Sequence, residues 1–234
     1  MNKPTEVARS INDSAVKDAM REQERPNPRR LERIALYKAI IGYGYERILE
    51  LGCGSGDLAY ALVDHAQKIV ATDIDLEDIE RARRRADLWS LSDEQIKKLE
   101  FRAMSALQLD FSDNEFDWAI STSMVEHLEP REVERHLREV QRVLKPGGNY
   151  LIWCPNGLGH HEDQTGHLTM WSYREWVEKL RNSGFRRFRS TMTSRPRLVD
   201  AQWKIALETI LSRSRLNIMW SHLGVRNVLL IATK

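Results

Sequence analysis

Five short apolar runs, each followed by a segment with helical spacing, constrain the fold of this chain more than any other feature of its sequence. They are RILEL (47–51), KIVATD (68–73), LEFRAM (99–104), FDWAIS (116–121) and NYLIWC (149–154). Apolar strands that alternate with helices are typical of a parallel sheet covered by helices on both faces. The sequence therefore predicts a doubly wound α/β domain.

Two later segments predict the edge of this sheet. FRRFRSTM (185–192) and RNVLLIAT (226–233) are predicted strands, with a helix at about 198–213 between them and no helix after the second. Because a long excursion joins them at the end of the chain, we expect them to pair antiparallel at one edge of the sheet.

Capping signals predict the ends of two helices. Pro130 is suited to the first turn of a helix over 130–144, and Pro146-Gly147-Gly148 is predicted to end it. Ser172 and Glu175 have the spacing of a capping box, and Gly184 is predicted to end the helix that follows.

Length and composition predict one domain. With 234 residues and 41% hydrophobic content, the chain can bury a sizeable core. Residues 1–30 form a polar leader that is either loose or a cap over a site. Residues 31–234 are predicted to form a single domain with an insertion near 195–225.

Charge and apolar content argue against two classes of partner. Basic and acidic residues number 36 and 34, which gives no overall attraction to nucleic acid or to an anionic membrane. No apolar run approaches the roughly 20 residues of a membrane span. With two cysteines and no secretory signal, we expect a soluble, cytoplasmic protein.

A glycine-rich turn, ELGCGSG (50–56), follows the first predicted strand and indicates a ligand site. Gly52, Gly54 and Gly56 lack the Cβ atoms that would keep a ligand from the backbone. Their spacing is G-x-G-x-G, whereas a dinucleotide fingerprint is G-x-G-x-x-G. The flanking carboxylates Glu50 and Asp57 would repel a diphosphate and favour a ligand that carries a positive charge and hydroxyls.

Asp73 is predicted to lie beside this turn. It ends the second predicted strand, 17 residues after Gly56. An acidic residue at this place in nucleotide-binding α/β folds accepts hydrogen bonds from ribose hydroxyls.

Five segments resemble, in order and spacing, the motifs of class I S-adenosylmethionine-dependent methyltransferases of the small-molecule type. They are ELGCGSG (50–56), TDIDLEDIERAR (72–83), LDFSDNEFDWAIS (109–121), MVEHLEP (124–130) and LKPGGNYLIWCPN (144–156). The resemblance covers roughly residues 45–190. It implies seven strands in the order 3-2-1-4-5-7-6 with the last strand antiparallel. It also implies S-adenosylmethionine as cofactor and S-adenosylhomocysteine as product.

The resemblance also implies the cofactor-binding residues. The glycine turn would hold the methionine portion, Asp73 the ribose, and the loop after LEFRAM the adenine. In that loop Ser105 stands where relatives often carry an acidic residue. The implied set is Glu50, Gly52, Cys53, Gly54, Gly56, Asp73, Ile74, Ser105, Ala106 and Ser121.

His127 is the candidate catalytic residue. Methyl transfer from a sulfonium is an in-line displacement, so the protein mainly has to orient the reactants. A base helps when the acceptor is a hydroxyl or a protonated amine. His127 follows the fourth predicted strand, on the side where the transferred methyl should point. It is either this base, a group that orients the acceptor, or a structural feature of the turn.

A second group of residues raises the question of a metal. Glu126, His127 and His167, with His160 or His161, resemble the metal ligands of small-RNA 3′-terminal 2′-O-methyltransferases. Ser123 occupies the place of the first glutamate of that set. Histidines in a polar loop are more often solvated than bound to metal, and we expect no metal here.

Clustered arginines and aromatic residues bear on the acceptor. Arg81, Arg83, Arg84 and Arg85 form one arginine group, and Arg186, Arg187, Arg189, Arg195 and Arg197 form the other. Solvated faces offset by acids are the favoured interpretation of both groups, but a group that faced the cleft would favour an anionic acceptor.

Five aromatic residues would either line an aromatic pocket or form part of the core. They are Trp153, Trp171, Tyr173, Trp176 and Trp203.

Cys53 lies at a predicted helix N-terminus. Its thiol would have a lowered pKa, or its side chain would simply fill space beside the cofactor.

These observations favour methylation of an oxygen or nitrogen on a small molecule. Two alternatives stay open. One is 2′-O-methylation of an RNA 3′ end with a degenerate metal site, and the other is a catalytically silent protein that binds the cofactor.

Overall fold

The computed structural model describes residues 28–155, 166–191 and 227–234. Its helices are α1 (Pro28–Ile41), α2 (Asp57–Ala61), α3 (Leu76–Arg84), α4 (Asp93–Lys97), α5 (Pro130–Val143) and α6 (Tyr173–Asn182). Its strands are β1 (Tyr45–Leu51), β2 (Ala66–Asp73), β3 (Leu99–Ala103), β4 (Phe116–Thr122), β5 (Leu144–Pro155), β6 (Arg187–Thr191) and β7 (Asn227–Thr233). Two 3₁₀ turns span Ala86–Trp89 and Val125–His127.

The seven strands form one sheet in the order β3-β2-β1-β4-β5-β7-β6. Neighbouring strands from β3 to β5 pair parallel, and β7 pairs antiparallel with both β5 and β6. The predicted strand order and the antiparallel last strand are therefore confirmed.

Successive residues of a strand point to opposite faces of the sheet, so the core consists of two layers, one on each face. Leu49 of β1 packs with α5 and α6, through side chains such as Leu137 and Trp176. Its neighbour Ile48 packs on the opposite face with α1, α2 and α3, through side chains such as Ile34. Helices thus cover both faces, as predicted for a doubly wound sheet.

The capping residues act largely as the sequence predicts. Pro130 opens α5, and Ser172 with Glu175 forms the capping box of α6. Gly184 follows α6 with a φ of +100°. One boundary differs: α5 ends at Val143, and Pro146-Gly147-Gly148 lies within β5, where the pairing with β4 shifts register.

The sequence analysis did not single out α1. It begins at Pro28, inside the predicted leader, and buries Ile34, Leu36, Tyr37 and Ile41. The rest of the leader, the predicted helix at 198–213 and the insertion near 195–225 lie outside the described residues.

Candidate functional site

The glycine turn joins β1 to α2 at the carboxyl edge of the sheet. Gly52, Gly54 and Gly56 have φ values of +70°, +50° and +78°, in the left-handed region where L-residues are strained. A Cβ on Gly52 would lie 2.4 Å from Cγ of Met124. The backbone N–H groups of Gly52 and Cys53 both donate to the carbonyl of Thr72, at 2.8 and 2.9 Å. The turn is thereby held against the end of β2.

Asp73 binds the same turn from the end of β2. Its Oδ2 accepts the N–H of Gly54 at 2.8 Å, and its Oδ1 accepts the N–H of Asp75 at 3.1 Å. Each carboxylate oxygen has a second lone pair, so Asp73 can also accept hydrogen bonds from a ligand.

A cavity of about 510 Å³ opens beside the turn. We call it the acid-lined cavity, because Asp73, Asp78 and Glu132 line it and none of its described lining residues is lysine or arginine. It also contacts seven residues of the predicted site: Gly52, Gly54, Asp73, Ile74, Ser105, Ala106 and His127. Its charge suits a cationic ligand with hydroxyl groups.

Four predicted residues do not line the acid-lined cavity. Glu50 is 2% exposed, and burial raises the pKa of its carboxyl to about 8. Gly56 lies against Phe101 and Ala82. Ser121 is buried beside Tyr150, whose hydroxyl lies 2.8 Å from its Oγ. The fourth is Cys53.

The lowered pKa predicted for Cys53 is wrong. Its side chain is 1% exposed, and burial, with the nearby carboxylates of Glu50 and Asp73, raises the pKa of the thiol. The position of Cys53 at a helix N-terminus favours the thiolate, but this effect is smaller than the rise in pKa caused by burial.

His127 ends the 3₁₀ turn after β4 and is exposed at the acid-lined cavity. Its Nδ1 lies 3.3 Å from the carbonyl oxygen of Gly166. A carbonyl can only accept, so this contact favours the tautomer with the proton on Nδ1, which leaves the lone pair on Nε2 available.

Glu126, His127 and His167 come together although His167 lies about 40 residues later in the chain. One ligand atom from each lies within 4.8 Å of the others. The contact depends on the backbone: the carbonyl of Glu126 accepts the N–H groups of Leu168 and Thr169, at 2.7 and 3.0 Å. His160 and His161 lie outside the described residues.

A second, smaller space of about 200 Å³ lies between α1 and the glycine turn. We call it the arginine chamber, because Arg30 and Arg33 line it and none of its described lining residues is acidic. Ile34, Tyr37 and Trp153 also line it. Of these residues, the sequence analysis singled out only Trp153. The helical spacing of Ile34, Tyr37 and Ile41 was a signal for α1, but not for the space beneath it.

No described arginine of the two groups lines the acid-lined cavity, although Arg81 pairs with Asp78, which does. Arg81 and Arg84 pair with the acids Asp78 and Glu80, as expected of solvated faces. Arg85 differs, since it is 5% exposed and pairs with buried Asp57. Arg187 pairs with Thr233 at the amino end of β5, which is the edge opposite the cavity. Arg195 and Arg197 lie outside the described residues.

The other predicted aromatic residues are mainly core. Trp176 is fully buried, Tyr173 is 4% exposed, and Trp171 packs edge-on against Trp176. Trp203 lies outside the described residues. No helix in the described part of the chain is both long enough and apolar enough to span a bilayer.

Comparison with known proteins agrees with this geometry. Residues 48–148 match the family model of a methyltransferase domain. Demethylmenaquinone methyltransferase of Clavibacter sepedonicus is 36% identical over 123 residues, which cover 52% of this chain and 46% of that protein. The O-methyltransferase resE of Aspergillus sclerotiorum is 29% identical over 151 residues, 60% of this chain and 55% of the relative. The chain spans about half the length of these curated relatives.

Solved structures share the fold across most of the described chain. The [4+2]-cyclase SpnF superposes with a TM-score of 0.64 and 21% identity, over 88% of this chain and 82% of its own. At this identity the likeness shows the fold alone. By its methyltransferase-domain match over residues 48–148, its strand order and its glycine turn, the chain is similar to the class I S-adenosylmethionine-dependent methyltransferases.

Proposed function

We propose that this protein transfers a methyl group from S-adenosylmethionine to an oxygen or nitrogen of a small-molecule acceptor. The observation that carries the proposal is the acid-lined cavity, in which the glycine turn, Asp73 and His127 border one space. The three glycines with positive φ and the carboxylate-rich lining fit a nucleoside that carries a sulfonium.

Each part of the cofactor has candidate partners among the lining residues. Asp73 would accept the ribose hydroxyls, and Gly52 and Gly54 would lie against the methionine portion. Ser105 and Ala106 would border the adenine, with the exposed side chain of Ile74 over it. Ser105 Oγ already accepts the N–H of Leu107 at 3.2 Å, so it is a weaker acceptor for adenine than the carboxylate of many relatives.

The bound cofactor would supply an activated methyl group, whose bond to sulfur breaks as the bond to the acceptor forms. The carboxylates Asp73 and Glu132 attract a positive charge that is already present before the reaction, whereas that of Asp78 is already paired with Arg81. Asp73 and Glu132 therefore contribute to binding more than to rate. His127, through Nε2, would take the proton of an acceptor hydroxyl or orient it for in-line attack.

Mass spectrometry of reaction products tests the proposal. The protein is incubated with S-adenosylmethionine and pools of small phenols, alcohols and amines, and a gain of 14 Da on one acceptor is expected. His127→Ala should lower turnover about 10²-fold or more if the histidine is the base. Its affinity for S-adenosylhomocysteine should stay at the wild-type value, which shows that the cavity is intact. Full turnover in His127→Ala would remove the catalytic role.

The opposite outcome of this experiment is that the protein binds the cofactor but transfers no methyl group. SpnF, named a [4+2]-cyclase, has the same fold. If the protein binds S-adenosylhomocysteine and no acceptor gains 14 Da, the proposed transfer fails, and the silent alternative is supported.

The clustering of Glu126, His127 and His167 favours a second candidate, metal-assisted 2′-O-methylation of an RNA end. Two imidazoles and one carboxylate are a donor set for Zn²⁺, Mn²⁺ or Fe²⁺ rather than Mg²⁺. Chelator-treated protein would be assayed on a short RNA, with and without each ion. Activity that requires the ion and is lost in His167→Ala would support this candidate, and ion-independent methylation of a small molecule would exclude it.

A further inference from the structure

The loop after β3 offers the amino group of adenine only a weak acceptor. Its Ser105 stands where many relatives carry an acidic residue, and the Oγ of Ser105 already accepts the N–H of Leu107 at 3.2 Å. Two polar residues further along the loop, Gln108 and Asp110, do not line the acid-lined cavity. A stronger acceptor would have to come from another element that borders this cavity.

The acid-lined cavity contains three carboxylates, and two of them already have a partner or a role. Asp73 holds the glycine turn and is assigned to the ribose. Asp78 pairs with Arg81, with Oδ1 and Nη2 at 2.7 Å. The third is Glu132 of α5, whose Oε2 accepts the N–H of Glu129 at 3.3 Å. A carboxylate can accept about four hydrogen bonds, so Glu132 keeps the capacity to bind a ligand donor.

Helix α5 lies along the loop after β3, and two contacts define how they align. Glu139 Oε2 accepts the N–H of Leu109 at 2.8 Å. Three residues earlier on the helix, His136 Nδ1 lies 2.9 Å from the carbonyl oxygen of Ala106, three residues earlier on the loop. A step toward the N-terminus of α5 is therefore a step along the loop toward Ser105.

Glu132 continues this alignment by one helical turn. It precedes His136 by four residues, which puts both side chains on the same face of α5. It therefore lies beyond the contact at Ala106, on the side of Ser105. All three of Glu132, Ser105 and Ala106 line the acid-lined cavity. The carboxylate thus borders the part of the cavity that is assigned to the adenine.

We propose that Glu132 accepts a hydrogen bond from the amino group of the adenine, so that α5 supplies the carboxylate that the loop after β3 lacks. The inference rests on the proposed function, because it assigns a contact to the cofactor of that site. A hydrogen bond to a charged acceptor is about twice as strong as one to a neutral acceptor. Glu132, rather than Ser105, then determines the preference for a purine that carries the amino group.

A thermodynamic cycle that removes each partner of this hydrogen bond tests the proposal. Calorimetry would give dissociation constants for S-adenosylhomocysteine and for its purine analogue, which has hydrogen in place of the adenine amino group. The wild type should bind S-adenosylhomocysteine about tenfold more tightly than the analogue. In Glu132→Ala this ratio should fall to about twofold or less, because neither ligand then meets the carboxylate.

Two variants separate the contact with adenine from the capping of α5. Glu132→Gln should give an intermediate ratio, since its amide oxygen can still accept from both Glu129 and the ligand but carries no charge. Glu129→Ala alters the start of the same helix at a residue that does not line the cavity, so its ratio should equal the wild-type value. A loss of stability alone would weaken both ligands equally and leave the ratio unchanged.

Variants at Ser105 decide which residue the amino group contacts. Adding Ser105→Asp to Glu132→Ala should restore the ratio, because it returns a carboxylate to the loop. A wild-type ratio near one, or a ratio that survives in Glu132→Ala, would overturn the proposal. Loss of the ratio in Ser105→Ala, with the wild-type ratio kept in Glu132→Ala, would assign the contact to the serine instead.

The adenine contact and the proposed methyl transfer can fail separately. If the wild type binds S-adenosylhomocysteine and Glu132→Ala keeps the ratio, only the adenine contact fails. If the ratio falls as expected but no acceptor gains 14 Da, the contact stands and the proposed transfer fails. If the wild type does not bind S-adenosylhomocysteine, both fail.

Discussion

His136 Nε2 lies 2.7 Å from the hydroxyl oxygen of Tyr150, inside the core beneath the candidate site. His136 Nδ1 lies 2.9 Å from the carbonyl oxygen of Ala106, which can only accept, so Nδ1 carries the proton and Nε2 accepts from Tyr150. The same hydroxyl lies 2.8 Å from Ser121 Oγ. A buried polar chain thus connects the loop at Ala106 to the end of β4.

These buried hydrogen bonds of His136 predict that the folded protein loses stability in acid. Burial lowers the pKa of His136 from 6.5 to about 4. Between these values the unfolded chain binds a proton that the folded protein does not, so the free energy of unfolding should fall as pH drops across this window. The expected loss is about 3 kcal/mol. Urea denaturation at several pH values would measure it.

The comparison variant is His136→Gln, which does not titrate. Its stability should change less over the same window, and the remaining change belongs in part to His65, whose pKa burial also lowers. Equal pH dependence in the wild type and the variant would contradict the assignment to His136.

The buried carboxyl of Glu50 predicts that the free energy of unfolding changes with pH in the opposite direction. Burial raises its pKa from 4.5 to about 8, with Arg30 opposing the shift. In this window the folded protein holds a proton that the unfolded chain has released, so stability should fall as pH rises. Between pH 6 and pH 8 the loss should be about 2 to 3 kcal/mol. Glu50→Gln should remove this dependence, and a slope that persists in the variant would exclude Glu50 as its cause.

Two glycines with nearly the same φ separate backbone strain from packing. A Cβ on Gly56 (φ +78°) would lie 2.9 Å from Cε1 of Phe101, whereas a Cβ on Gly147 (φ +79°) would have no atom within 4 Å. Gly147→Ala should cost about 1 kcal/mol of stability from strain alone. Gly56→Ala should cost about 2 to 4 kcal/mol, since overpacking adds to strain. Equal losses in thermal denaturation would contradict the tight packing of Gly56.

The buried ion pair of Arg85 predicts a large effect of one arginine on stability. Arg85 Nη2 lies 3.0 Å from Oδ1 of Asp57, and both side chains are almost fully buried. Arg85→Met should cost about 3 kcal/mol or more, because among the described residues it leaves Arg30 as the one cation that pairs with the buried carboxylate. Arg84→Gln, which removes an exposed pair with Glu80, should change stability by less than about 0.5 kcal/mol. Similar denaturation midpoints for the two variants would show that Arg85 has no special role.

The strands, the caps and the glycine turn could be predicted because their signals are local. Apolar runs, Pro130, and Ser172 with Glu175 report on the residues next to them, and parallel strands bring Gly54 and Asp73 to the same edge of the sheet. The pKa of Cys53 could not be predicted from its place at a helix N-terminus, because burial outweighs that position.

Contacts between distant segments could not be predicted in this way. A family resemblance grouped His167 with Glu126 and His127, but no local signal did, and the structure joins the two segments where the N–H groups of Leu168 and Thr169 donate to the carbonyl of Glu126. Likewise, Arg33 lies at the glycine turn because α1 crosses that face of the sheet. The sequence analysis started the domain at residue 31 and predicted no chamber there.

Calorimetric titration with S-adenosylhomocysteine tests the central claim most directly. The account predicts binding at one site per chain in the micromolar range, weakened about tenfold or more in Asp73→Asn, which removes a charge from the acid-lined cavity. The Arg29→Gln protein, altered outside the cavity, should bind as the wild type does. Absence of binding to the wild-type protein at millimolar ligand would contradict the account.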